Sequence, residues 1–176
     1  MGILRKLFGK DTTTDVLELL AAQHKEVDEL IAKLEHGSGP RRGLLIQLAD
    51  RLAAHATVEE KLFYPAVMAK RTQDQLHEAV EEHLSIKRLL ADMLEMRLDD
   101  YLFEAKLSVL KEQVGHHAHE EEEKHLFPEV KELLSADERA ALGNEVLVMF
   151  EELMQGHPSQ QVARQTAAAA KLPSLR

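Results

Sequence analysis

The sequence predicts an all-α protein: an up-down-up-down four-helix bundle with an additional C-terminal helix. Three observations carry this expectation. The chain is rich in Leu, Ala, Glu and Lys, and only 8 glycines and 5 prolines interrupt its 176 residues; that composition favours helix and offers few breaks. Four stretches repeat apolar residues at steps of three and four, the period of one helical face. The segments between them are short, and short connections make successive helices antiparallel neighbours.

The run TTTD (12–15) supplies N-cap oxygens. After it, Leu17, Leu20, His24, Val27, Ile31 and Leu34 form the first face, which EHGSGP (35–40) ends. Leu45, Leu48, Leu52, His55, Glu59 and Leu62 form the second, and Pro65 should kink or end its regular part. KRTQDQ (70–75) reads as a turn. The third face is Leu76, Val80, His83, Ile86, Leu90 and Met93, closed by RLDD (97–100). Phe103, Leu107, Leu110, Val114, His117 and Glu121 form the fourth, ahead of Pro128. Ser135 with Glu138 makes a capping box that opens a fifth helix through about Met154, expected to pack outside the bundle. The organisation expected is a short N-terminal segment (1–12), one helical domain (13–156) and a low-complexity tail (157–176) of Gln, Ala and Ser with no core pattern.

Several function classes are excluded at this level. The chain has no cysteine, which removes disulfides, thiolate metal sites and cysteine nucleophiles. Its net charge is −9, and Lys and Arg are scattered among the acids, so no nucleic-acid partner is expected. No apolar run reaches membrane-spanning length and no secretory signal is recognisable, so a cytoplasmic location is expected. The start MGILRKLFGK fails the myristoylation pattern at Lys6.

What remains unexplained is polar. Each of the four helices carries a histidine on its apolar face: His24, His55, His83 and His117. On the second and fourth helices a glutamate follows one turn later, at Glu59 and Glu121, and residues four apart share a side of the helix. Counting from the turns at about 1.5 Å per residue, heights within each antiparallel pair agree to roughly 5–6 Å, so the four imidazoles fall in one slab. There is also an internal echo: HATVEEKLFYP (55–65) is repeated as HAHEEEEKHLFP (117–128), with one extra residue between the His and the Pro. Two half-sites of equivalent composition are what a two-metal centre needs.

Burying polar groups unpaired costs kcal/mol, and burying unpaired charges costs more. Two carboxylates and four imidazoles are untenable as a bare core, but they suit iron, manganese or zinc. A single His-x-x-x-Glu pair is ordinarily a surface ion pair; six such residues in phase with separate leucine ladders point to metal. Two alternatives stay open within the fourth helix. His119 has its own partner at Glu123, out of phase with Leu110 and Val114. If the extra residue forms a π-bulge, Glu122 replaces Glu121.

At LLAAQHKEVDELIAKLE (19–35), HATVEEKLFYP (55–65), EEHLSIKRLL (81–90) and LKEQVGHHAHEEEEKHLFP (110–128) the chain resembles the hemerythrin-like HHE cation-binding family, over roughly residues 13–155. The resemblance implies a four-helix bundle around two non-haem iron ions, with or without a bridging oxo or hydroxo group. It implies His24, His55, Glu59, His83, His117 and Glu121 as ligands, the glutamates bridging. Oxygen-carrying hemerythrins place a second histidine one turn away on the third helix. Here those neighbours are Ala79 and Lys87, neither of them a ligand type expected at such a site. The resemblance therefore implies one protein ligand fewer and one more position for a small diatomic or peroxide ligand, favouring redox chemistry or sensing over reversible oxygen carriage. The expected function is binding of, or reaction with, dioxygen, peroxide or nitric oxide; the alternative is a non-catalytic iron or oxygen sensor or store. The His-x-x-x-Glu spacing departs from the Glu-x-x-His of ferritin-like di-iron bundles.

Overall fold

A computed structural model describes residues 14–174. The expected 1–12 segment and the cap candidates Thr12 and Thr13 lie outside the described residues. Helix α1 spans Val16–Glu35. The second bundle helix is α2 (Arg41–Val58), a wide turn at Glu59–Phe63 with i→i+5 bonding, and α3 (Tyr64–Val67). The third is α4 (Gln73–Glu95). The fourth is α5 (Phe103–Gly115), a longer wide stretch at His116–Leu126, and α6 (Phe127–Leu133). Helix α7 (Ala136–Gln155) and a 3₁₀ helix (Pro158–Gln165) follow.

Local chemistry sets the boundaries. The Asp15 carboxylate caps α1 by accepting from the Leu17 N–H at 2.9 Å. The same side chain pairs with Arg139 at 2.7 Å, tying the start of α7 to the start of α1. Gly37 and Gly39, at φ +64 and +118, turn the chain into α2. Ser135 and Glu138 form the reciprocal capping box that opens α7.

The core comes in two parts, and each bundle helix crosses from one to the other. Leu17 and Leu20 lie in the first cluster, Val27 and Ile31 in the second. The second helix runs back, from Leu45 and Leu48 to Val58 and Phe63. The third goes out from Leu76 and Val80 to Ile86 and Leu90, and the fourth returns from Leu107 and Val114 to Leu126 and Phe127. That alternation is the up-down-up-down order expected. At every crossing stands a histidine, so the polar slab separates two apolar halves.

Helix α7 packs against the four-helix bundle from outside, as expected, with Val146 and Phe150 fully or almost fully buried in the first cluster. One feature departs from the sequence expectation. The segment after Gly156 also packs. Val162 is fully buried in the second cluster, the Asp50 carboxylate accepts from the Ser159 N–H at 2.9 Å, and Arg88 donates to the Thr166 carbonyl. One valine among Gln, Ala and Ser makes no period that would announce it.

Candidate metal centre

The wide turns build the site. Pro65 and Pro128 lack an N–H, and in a regular helix each ring would clash with the carbonyl four residues back. In both helices the residue before the proline bonds five back instead: Tyr64 N–H to the Glu59 carbonyl, and Phe127 N–H to the Glu122 carbonyl. The turn shifts the helical phase. Phe63, Tyr64 and Val67 face the core, while Leu62, expected there, is half-buried.

Between the two turns, four imidazoles meet through their Nε2 atoms. His24 Nε2 lies 3.1 Å from His55 Nε2, and His83 Nε2 lies 2.9 Å from His117 Nε2. Glu59 spans the two pairs, with Oε1 3.1 Å from His55 Nε2 and Oε2 3.2 Å from His83 Nε2. Glu122 spans them from the other side, its Oε2 3.2 Å from His24 Nε2 and 3.9 Å from His117 Nε2. All six side chains are buried.

Each ring is held from behind. The Nδ1 atoms donate outward: His24 to Glu123 at 2.7 Å, His55 to the Gln23 amide oxygen at 2.7 Å, His83 to Glu60 at 3.0 Å and His117 to Glu82 at 2.8 Å. An Nδ1–H bond of this kind fixes ring orientation and directs Nε2 inward. The Tyr64 hydroxyl donates to Glu122 Oε1 at 2.8 Å.

Charge follows the same geometry. Burial opposes a positive charge on His24, but the adjacent Glu122 and Glu123 carboxylates outweigh it and hold its pKa up at about 10. Burial likewise opposes charge on His83, and Glu59 and Glu60 raise it to about 9. At His55 burial wins and the pKa falls. Burial works to raise the Glu59 pKa, yet His55 and His83 take it well below the ordinary carboxylate value. Burial, with Glu122 and Glu59 adding to it, keeps the Tyr64 phenol protonated far above its usual range.

The structure brings His24, His55, Glu59, His83 and His117 together and leaves Glu121 out. Glu121 is 28 % exposed and lies 3.7 Å from His116, on the outside of the helix. Its expected place is taken by Glu122, 1 % exposed. The reason is the extra residue of the second repeat: the wide stretch absorbs it, so the His-to-Glu step lengthens from four to five. His119 stays near the surface between Asp28 (2.9 Å) and Glu123 (3.2 Å). Sequence reasoning did not single out Gln23, Glu60, Glu82 or Tyr64. A signal was present: aligned backward from the prolines, Glu59 matches Glu122 and Glu60 matches Glu123, while Gln23 and Glu82 each precede a slab histidine.

The donor set fits cations. Glu59 Oε1 and Glu122 Oε2 are buried without a hydrogen bond, each aimed at imidazole nitrogens. One donor atom each from His24, His55, Glu59 and Glu122 falls within 4.8 Å of the others, and so does one each from Glu59, His83 and His117. These are two overlapping clusters able to bind metal and sharing Glu59. The Hemerythrin HHE cation binding domain family model matches residues 15–130, about two-thirds of the chain.

The chain belongs to the hemerythrin HHE cation-binding family. The solved structure of a hemerythrin HHE cation binding domain-containing protein from Mycobacterium kansasii shares this HHE fold. It superposes with a TM-score of 0.73 at 22 % identity, covering 86 % of this chain and 99 % of that one. No curated protein matches the chain. As in the sequence, none of the described HHE helices is long and apolar enough to cross a membrane.

Proposed function

We propose that the protein holds two non-haem irons and binds or reacts with a small oxidant: dioxygen, peroxide or nitric oxide. His24 and His55 would hold one iron and His83 and His117 the other, with Glu59 and Glu122 shared between them. The observation that carries this reading is the space beside the imidazoles. A cavity of about 20 Å³ lies against all four rings, walled otherwise by Val27, Leu52, Ala56, Ile86, Val114 and Ala118. That is room for one water-sized molecule and no organic substrate.

Bound iron would supply Lewis-acid and one-electron chemistry to a ligand of that size. The chain's own groups do the rest. The four outward Nδ1–H bonds hold the rings in register. The apolar wall keeps bulk water out. The Tyr64 hydroxyl oxygen stands 3.4 Å from His83 Nε2 and donates its proton to a hydrogen bond with Glu122; it is the one neutral donor directed at the shared carboxylates among the described contacts.

Elemental analysis of untagged protein, purified without chelator, tests the reading. About two irons per chain, with absorption changes on mixing the reduced protein with dioxygen, peroxide or nitric oxide, is the expected result. A single zinc, or no metal after anaerobic iron loading, overturns it.

A further inference from the structure

The two cation positions are built alike but charged differently. Behind the His24–His55 pair stand Glu123 and the neutral amide of Gln23. Behind the His83–His117 pair stand two carboxylates, Glu60 and Glu82. The second pair therefore carries one more negative group in its hydrogen-bond shell. The same side holds a buried lysine. Lys87 is 6 % exposed on the inward face of α4 and places Nζ 2.7 Å from Glu60 Oε1.

Lys87 follows His83 by four residues. Its counterpart, four after His24, is Asp28, which is 47 % exposed and meets Glu123 only through His119. The position equivalent by repeat thus carries a base, buried and in direct contact, on the carboxylate-rich side. On the other side it carries an acid in solvent, where its charge is screened. A buried ion pair is seldom retained for stability, since an apolar residue of similar volume usually serves as well or better.

We propose that Lys87 equalises the two cation positions, its ammonium offsetting the additional carboxylate behind His83 and His117. With Lys87 counted beside the groups bonded to the rings, each pair has a net charge of about −1 behind it. This inference rests on the reading that each histidine pair holds one cation; it needs neither iron nor a particular oxidant.

Cobalt(II) titration of the full chain by calorimetry tests it. The two sites are assigned by the paramagnetically shifted Nδ1–H resonances of their histidines. Lys87→Met should tighten the His83–His117 position by about tenfold or more and leave the other within about threefold, the range in which bonded neighbours tune metal affinity. Glu82→Gln should weaken that same position, and the Lys87→Met/Glu82→Gln double variant should return both constants to within about threefold of wild type. Lys87→Arg should match wild type. Lys87→Gln removes the charge but keeps a donor for Glu60, and is the variant to read if Lys87→Met does not fold. Unchanged constants in the uncharged variants, or weakening of both positions together as a merely structural lysine would give, overturn the inference alone. A wild-type chain that binds no cobalt at either pair overturns the two-cation reading, and this inference with it.

Discussion

Loading the metal-free protein with two divalent cations should expel protons at neutral pH. The cation and the proton compete for the same Nε2 atoms. His24 is held up at about 10 and His83 at about 9, both against burial and both by carboxylates in hydrogen-bond contact. At pH 7 both rings are charged. Displacing these protons costs about 4 kcal/mol at His24 and about 3 kcal/mol at His83, at roughly 1.4 kcal/mol per pH unit. His55, pushed down by burial, is already neutral and contributes none. About two protons should therefore leave per pair of cations, and the product of the two affinities should rise about 100-fold between pH 7 and pH 8. Calorimetry in buffers of different ionisation enthalpy counts the protons directly. A count near zero, with affinities flat over that interval, would refute the electrostatic reasoning.

Four further outcomes are expected. Glu122→Gln should lose most of its bound metal in elemental analysis, while Glu121→Gln, altering a side chain on the outer face, should retain it. Gly143→Ala should destabilise the fold by about 2–3 kcal/mol in urea denaturation, since a Cβ there would sit 1.9 Å from the Thr14 carbonyl and 2.9 Å from the Val16 nitrogen. Val162→Ala should cost about 2 kcal/mol, from lost burial and the cavity left behind, with metal content unchanged; a neutral result would mean that the C-terminal segment is not docked. The metal-free protein should also be bounded on both sides in pH. The raised His24 and His83 values stabilise the fold fully below the unfolded value of 6.5, and that contribution is lost as pH rises toward 9–10. The depressed Glu59 stabilises above 4.5 and loses its contribution as pH falls through its folded value. Scanning calorimetry from pH 3 to pH 10 would show both limbs, or rule them out by a flat profile.

The bundle was legible because its helices obey one rule along most of their length. Leu17 to Leu34 and Leu76 to Met93 keep a regular period, and every residue named on those faces is buried. The four histidines and Glu59 were legible for the same reason, being polar residues in phase with leucines. Glu121 failed where the rule fails. Its assignment assumed 3.6 residues per turn through a stretch that is wound more loosely, and the bulge that puts Glu122 in its place stood in the sequence only as an alternative. The outer partners were hidden for a different reason. Gln23, Glu60 and Glu82 sit at the slab's edge, where a polar residue looks like an ordinary solvated one until the ring behind it is placed. Val162 is buried by tertiary contact alone, which no local pattern encodes.

An insertion into a regular helix rotates everything downstream by about 100°, which would turn Phe127 and Val130 out of the core. The fourth bundle helix carries one residue more than its counterpart, yet both remain buried. The loosely wound stretch acts as an expansion joint: it takes up the surplus length and hands the chain on in phase. Variation in length there is mechanically cheap, so the acidic run between His117 and Glu122 is where the chain can gain or shed a residue without disturbing the clustered histidines and glutamates. Deleting Glu121 would shorten the joint to the four-residue step found in the second helix, making the two halves of the repeat the same length.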